Sequence, residues 1–149
     1  MPIDGKSIDI GTAVITTTTH NESVIDIVKF KEMSKNELDL LATSIRRKYI
    51  TPTMDDIYRE KADQAIEYVA AGYPANVSAY PFIRAEANAT GLTTSQAADS
   101  IISARQAWMS KMADIEEQRR KGKVLIDSAT TISDVDAAKD AAIVALNLL

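Results

Sequence analysis

Cysteine is absent from this chain and histidine occurs once, as His20. Those two facts exclude disulfides, thiolate nucleophiles, Cys-ligated zinc or iron–sulfur sites and any multi-histidine metal cage. Only five glycines are present, and they form neither a Gly-x-Gly-x-x-Gly turn nor a Walker A loop. Aromatic residues are 5% of the 149, so a core must be built from Ile, Leu, Val, Ala and Met. An excess of positive charge is also missing. Lys and Arg total 17 against 21 Asp and Glu, a net charge of −4, which argues against binding nucleic acid through neutralised phosphates. No apolar run reaches the roughly 18 to 20 residues of a membrane span. The opening residues Met1 to Gly11 lack the apolar segment of a signal peptide, so synthesis and folding in a cytoplasm are expected.

What is present is an ordinary globular composition, 46% hydrophobic and 26% charged, with enough apolar surface to offset chain entropy. Ile8 to Thr19 is rich in β-branched residues, with threonine unbroken from Thr16 to Thr19. His20-Asn21-Glu22 breaks the run, and Ser23 to Phe30 follows, with Val24, Asp26 and Val28 alternating against Ile25 and Ile27. This pattern predicts a β-hairpin over residues 1–32. A lone hairpin is marginal in water, so it must either pack on the helices of its own domain or extend a neighbour's sheet, and in the second case Val14, Ile15, Val24, Ile25 and Ile27 are expected to pair with the neighbouring chain.

From Met33 the pattern becomes helical, and residues 33–149 read as one helical domain. Ser34-x-x-Glu37 has the form of a capping box, followed by Leu38, Leu41, Ala42 and Ile45, with Pro52 as the stop. Thr53-x-x-Asp56 would cap a second helix with Ile57, Ala62, Ala65, Ile66 and Val69 inward, ended by Gly72 and Pro74. A short helix follows from Pro81 to Ala89, with Gly91 after it. Thr93-x-x-Gln96 opens the longest element, and Thr131-x-x-Asp134 opens the last. If the long helix passes through Gly122 it reaches about 30 to 35 residues, with a kink or break as the alternative. The expected fold is therefore mainly α with a small β part (α+β): an N-terminal hairpin, then about five helices ending in a long antiparallel helical hairpin.

Candidate chemistry is sparse. Asp55, Asp56, Glu60 and Asp63 cluster at a helix start, where carboxylates are favoured by the helix dipole without any metal. Arg119, Arg120, Lys121 and Lys123 form one basic cluster, read as a solvated face pairing with Glu116 and Glu117 or with an acidic partner. Asp134 and Asp136 sit at another helix start. His20 lies among threonines, with no Gly-x-Ser-x-Gly elbow anywhere in the chain. No catalytic, cofactor-binding or metal residue is assigned, and no cofactor is expected. Ile101, Trp108, Met112 and Ile115 recur near heptad spacing along the long helix and are expected to form an exposed seam for another subunit.

Tyr73-Pro74, Pro81 to Ala87, and the stretch from Thr93 through Trp108 and Arg119-Arg120 to Val135 carry a resemblance. Over roughly residues 55–140 the chain resembles the helical C-terminal regions of small bacteriophage tail and tail-fibre-associated proteins. The resemblance implies a non-enzymatic virion component at the tail, neck or collar, or fibre attachment site, or else a tail-fibre assembly chaperone. It implies other phage tail, collar or fibre proteins as partners, and a homo-oligomer or symmetric assembly, without nucleic acid or membrane. The place implied is the virion, assembled in the bacterial host cytoplasm.

Overall fold

A computed structural model describes residues 11–50 and 53–149; for residues 11–25 only the backbone course is described. Among the described residues five helices make up the regular structure: α1 Gly11–Arg47, α2 Asp55–Ala70, α3 Pro81–Thr90, α4 Thr94–Ser128 and α5 Ile132–Asn147. No strand occurs among the described residues. The α+β expectation is thereby corrected: α1 runs unbroken through residues assigned to both hairpin strands and across the expected boundary at residue 33. Ser34 is accordingly not a helix cap. It lies in mid-helix, 2% exposed.

The cause is visible in what α1 buries. Leu38, Ala42 and Ile45 are core residues, while Ile27, Phe30 and Leu41 pack partly against them. With Ser34 these positions step back by threes and fours from Ile45 to Ile27, which is helical periodicity. The alternation of Val24, Asp26 and Val28 competed with it. Strand propensity depends on a pleated, half-buried surface to pack on, and here the buried surface lies along one helical stripe.

α4 is the spine. Its Thr93 capping box is present: the Gln96 amide donates to Thr93 Oγ1 (3.2 Å) and the Thr93 amide donates to Gln96 Oε1 (3.1 Å). At 35 residues it is about 52 Å long. The Asp134 amide likewise donates to Thr131 Oγ1 (3.1 Å), which caps α5. By contrast, α2 begins after Met54 with no side-chain cap. Thr53 has φ +74, a left-handed backbone that a β-branched residue adopts rarely.

Two cores share α4. Leu38, Ala42 and Ile45 of α1 meet Ile115 and Ile126 of α4 and Val135, Ala142 and Leu146 of α5 in the larger one. Ala62, Ala65 and Tyr68 of α2, Ile83 of α3 and Ala98 and Ile101 of α4 form the other. Among the described residues only α4 packs against both sets of helices.

An ion-pair network fixes α1 against α4. Arg119 bonds Glu116 through Nε (2.8 Å) and Nη2 (2.7 Å), and Asp39 through Nη1 (2.6 Å). Lys123 Nζ reaches Asp39 Oδ2 at 2.6 Å, and Arg46 reaches Glu116 Oε2 at 2.7 Å. The basic cluster is thus divided. Arg119 and Lys123 face α1, while Lys121 pairs with Glu117 on α4 at 2.5 Å. Arg119, above all, holds the Glu116 carboxyl down at about 2; burial opposes this, and Arg46 adds to the lowering. For Asp39, burial raises the pKa, but hydrogen bonds from Lys123 and Arg119 outweigh it and the net shift is downward.

A carboxylate depressed in the folded state contributes stability above its unfolded pKa and loses it as pH falls through the folded one. Denaturant midpoints should therefore decline as the pH falls from about 4.5 to about 2. Arg119→Met should flatten that decline and lower the midpoint at neutral pH. An unchanged acid slope in the variant would show that these pairs do not carry it.

Candidate interaction cleft

The heptad residues of α4 have different fates. Ile101 is 8% exposed in the α2–α3 core, and Ile115 is fully buried in the α1–α5 core. Met112 packs partly against the latter, as does Ile27 of α1. Trp108 is 39% exposed. The side chains of Val14, Ile15, Val24 and Ile25 lie outside the described residues.

The expected seam is therefore one stripe covered at both ends by different helices. None of residues 102–114 is buried. At the gap between the two covers lies a half-open cleft of about 670 Å³. Its apolar lining is Tyr49 and Ile50 after α1, Tyr58 and Ala62 of α2, and Ile101, Ala104, Trp108 and Met109 of α4. Tyr58 and Met109, like Trp108, stay well exposed.

Polar groups at the cleft are Asp55, Arg59, Lys61, Glu86, Ser100 and Arg105. Lys61 and Glu86 are ion-paired with each other. Arg59 pairs with Asp56 at 2.6 Å and Arg105 with Asp63 at 3.3 Å. Two members of the acidic group at the start of α2 are thus occupied by arginines. Among the described residues no group of three potential ligands could hold a metal ion, and no helix is long and apolar enough to cross a membrane.

At the far end of the α1 stub, Tyr49 Oη donates to the Leu149 carbonyl oxygen (2.7 Å). Lys111 Nζ donates to the same oxygen (3.0 Å) and stands 5.8 Å from the Tyr49 ring centroid. These contacts hold the Tyr49 wall of the cleft against α4.

Trp108 and Ile101 are the cleft residues that the sequence marks for an interface, and Asp55 of the acidic group also lines it. Met109 flanks Trp108 in the sequence and lines the cleft with it, whereas Tyr58 and Arg59 carry no sequence signal of their own, because their membership follows from which face of α2 turns inward. Ile57 and Ile66, expected inside, are 42% and 45% exposed, and Ala62, Ala65 and Tyr68 take the inward face. The alanines pack in one core with Ala98 of α4, and Tyr58, one turn before Ala62, lines the cleft together with Trp108. A tyrosine one turn before the first inward alanine was the available signal.

Compared with known proteins, the chain matches no family model, no curated protein and no solved structure.

Proposed function

We propose that the protein is a non-enzymatic structural component of a bacteriophage virion, at the tail, neck or collar, or fibre attachment site, acting through protein–protein contacts. The phage assignment rests on the resemblance over residues 55–140. Action through contacts rests on one observation, the uncovered middle of the α4 stripe, where Trp108 and Met109 stand exposed beside Tyr58. Exposed aromatic and Met side chains in a shaped recess are the usual anchors of an interface.

The half-open cleft also suits a tail-fibre assembly chaperone, which needs an accessible contact of modest area to release its client. Mass spectrometry of purified particles separates the two: a virion component is present at fixed stoichiometry, and a chaperone is absent. Trp108→Ala should weaken association with the tail partner by about tenfold or more. Its circular dichroism should stay wild-type, because the side chain is only partly enclosed. Undiminished association of the variant would remove the cleft from the contact.

A further inference from the structure

We propose that the Trp108 cleft receives an amphipathic helix of a partner protein, its apolar face between Tyr58 and Trp108 and its carboxylates on Arg59 and Arg105. This rests on the reading that the chain works through protein contacts, and adds the chemistry of what it contacts.

Geometry favours a helix. The cleft continues a stripe that helices already cover on both sides: α2 and α3 at Ile101, α1 and α5 at Ile115. Another helix completes the row by the same packing of side chains into grooves. A volume of about 670 Å³ falls in the range of small-molecule sites, but such sites enclose most of the ligand. This cleft is open along one side, which leaves room for a helix to lie against it with its polar face in water.

Charge selects the helix. Of the cations lining the cleft, Lys61 is committed to Glu86, and each of the two has about a quarter of its side chain exposed. Arg59 and Arg105 instead hold carboxylates that are largely in solvent, Asp56 at 86% and Asp63 at 52% side-chain exposure. Exposed pairs of this kind contribute little. An arriving carboxylate can therefore take either guanidinium, and the water-poor contact strengthens the new pair. A helix flanked by lysines would meet the two arginines as like charges. Asp55 also lines the cleft and opposes carboxylates near it, so the acidic side chains of the arriving helix belong beside Arg59 and Arg105.

Trp108 is the single tryptophan, so its emission reports the cleft directly. The probes are synthetic helices of about 18 residues, five turns, with leucines along one face and either glutamates or lysines flanking it. The glutamate helix should give a saturable blue shift, and the lysine helix should bind at least about tenfold more weakly. The Arg59→Glu/Arg105→Glu double variant, shown folded by circular dichroism, should reverse that order.

Equal binding of the two helices by the wild-type protein, or no shift with either, overturns the proposal. A blue shift that grows with protein concentration alone, with a rise in mass, also overturns it, in favour of a second copy. The two readings fail separately. If neither helix binds but the chain still joins particles through Trp108, the helix proposal falls and the assembly reading stands. If the glutamate helix binds but the chain associates with no phage component, the assembly reading falls and the cleft keeps its ligand class.

Discussion

Gly122→Ala should destabilise the α1–α4–α5 bundle by about 1–3 kcal/mol, although the same change stabilises an isolated helix by about 1 kcal/mol. Gly122 is buried in the last third of α4, and a Cβ there would stand 2.5 Å from Ala142 Cβ and 2.7 Å from Leu38 Cδ1. The Leu38 methyl is the end of a flexible side chain and can rotate away. Ala142 Cβ is attached directly to the α5 backbone, so relief there requires the two helices to separate. Separation costs contacts along the whole packed face, which is why the packing loss exceeds the propensity gain.

Ala142→Gly alone should also destabilise, through a lost contact and the entropy of glycine in a helix. Combined with Gly122→Ala it restores the missing volume on the opposite side. The double variant should therefore be more stable than the sum of the two changes. Chemical denaturation of the four proteins checks this. Simple additivity would mean that the helices do not meet at this point.

The position of Gly122 also shows what could be read from the sequence. A glycine within an apolar helical pattern signals a break, a kink or a close approach, and the three are indistinguishable without knowing what lies opposite. The structure shows close approach: α4 continues to Ser128 and α5 crosses at Ala142. Local signals that need no partner were legible. The Thr93 capping box, the Thr131 cap, Pro81 at the start of α3 and the left-handed Gly91 at its end are each set by residues within a few positions of one another.

What failed were readings that depended on an opposing surface. Ser34-x-x-Glu37 has the capping-box spacing but lies inside a longer helix, because the Phe30 and Ile27 turns before it have Lys139 and the α5 side of the bundle to pack on. Of the inward stripe expected for α2, Ala62 and Ala65 lie in the core and Ile57 and Ile66 do not, because the face that packs with Ala98 of α4 is the one carrying the alanines and Tyr68. The α4 stripe was visible as a stripe. Its division into two covered ends and one open middle was not, since that depends on where α1 stops and α2 begins.

Tyr68→Ala should cost about 3–5 kcal/mol, the range for truncating a fully buried aromatic residue, and the damage should be confined to one end of the molecule. Tyr68 is 1% exposed. Its ring meets Tyr80 and Tyr73 edge-on, with centroids at 5.1 and 5.7 Å. Its hydroxyl lies 2.9 Å from Thr94 Oγ1, joining the last turns of α2 to the first residue of α4. Tyr68→Phe keeps the ring contacts and loses only that hydrogen bond, so about 0.5–1.5 kcal/mol is expected. The confinement follows from the two cores having no residue in common. Emptying one removes the reason for α2 and α3 to stay on α4, while Leu38, Ile115, Ile126 and Leu146 remain packed. Native-state hydrogen exchange should show protection falling across α2, α3 and the start of α4 in Tyr68→Ala, with the amides around Leu38, Ile126 and Leu146 close to wild-type. Equal loss in α1 and α5 would mean that α4 couples the two cores into a single cooperative unit, and the cleft at Trp108 would then lie within that unit, with no hinge between separable halves.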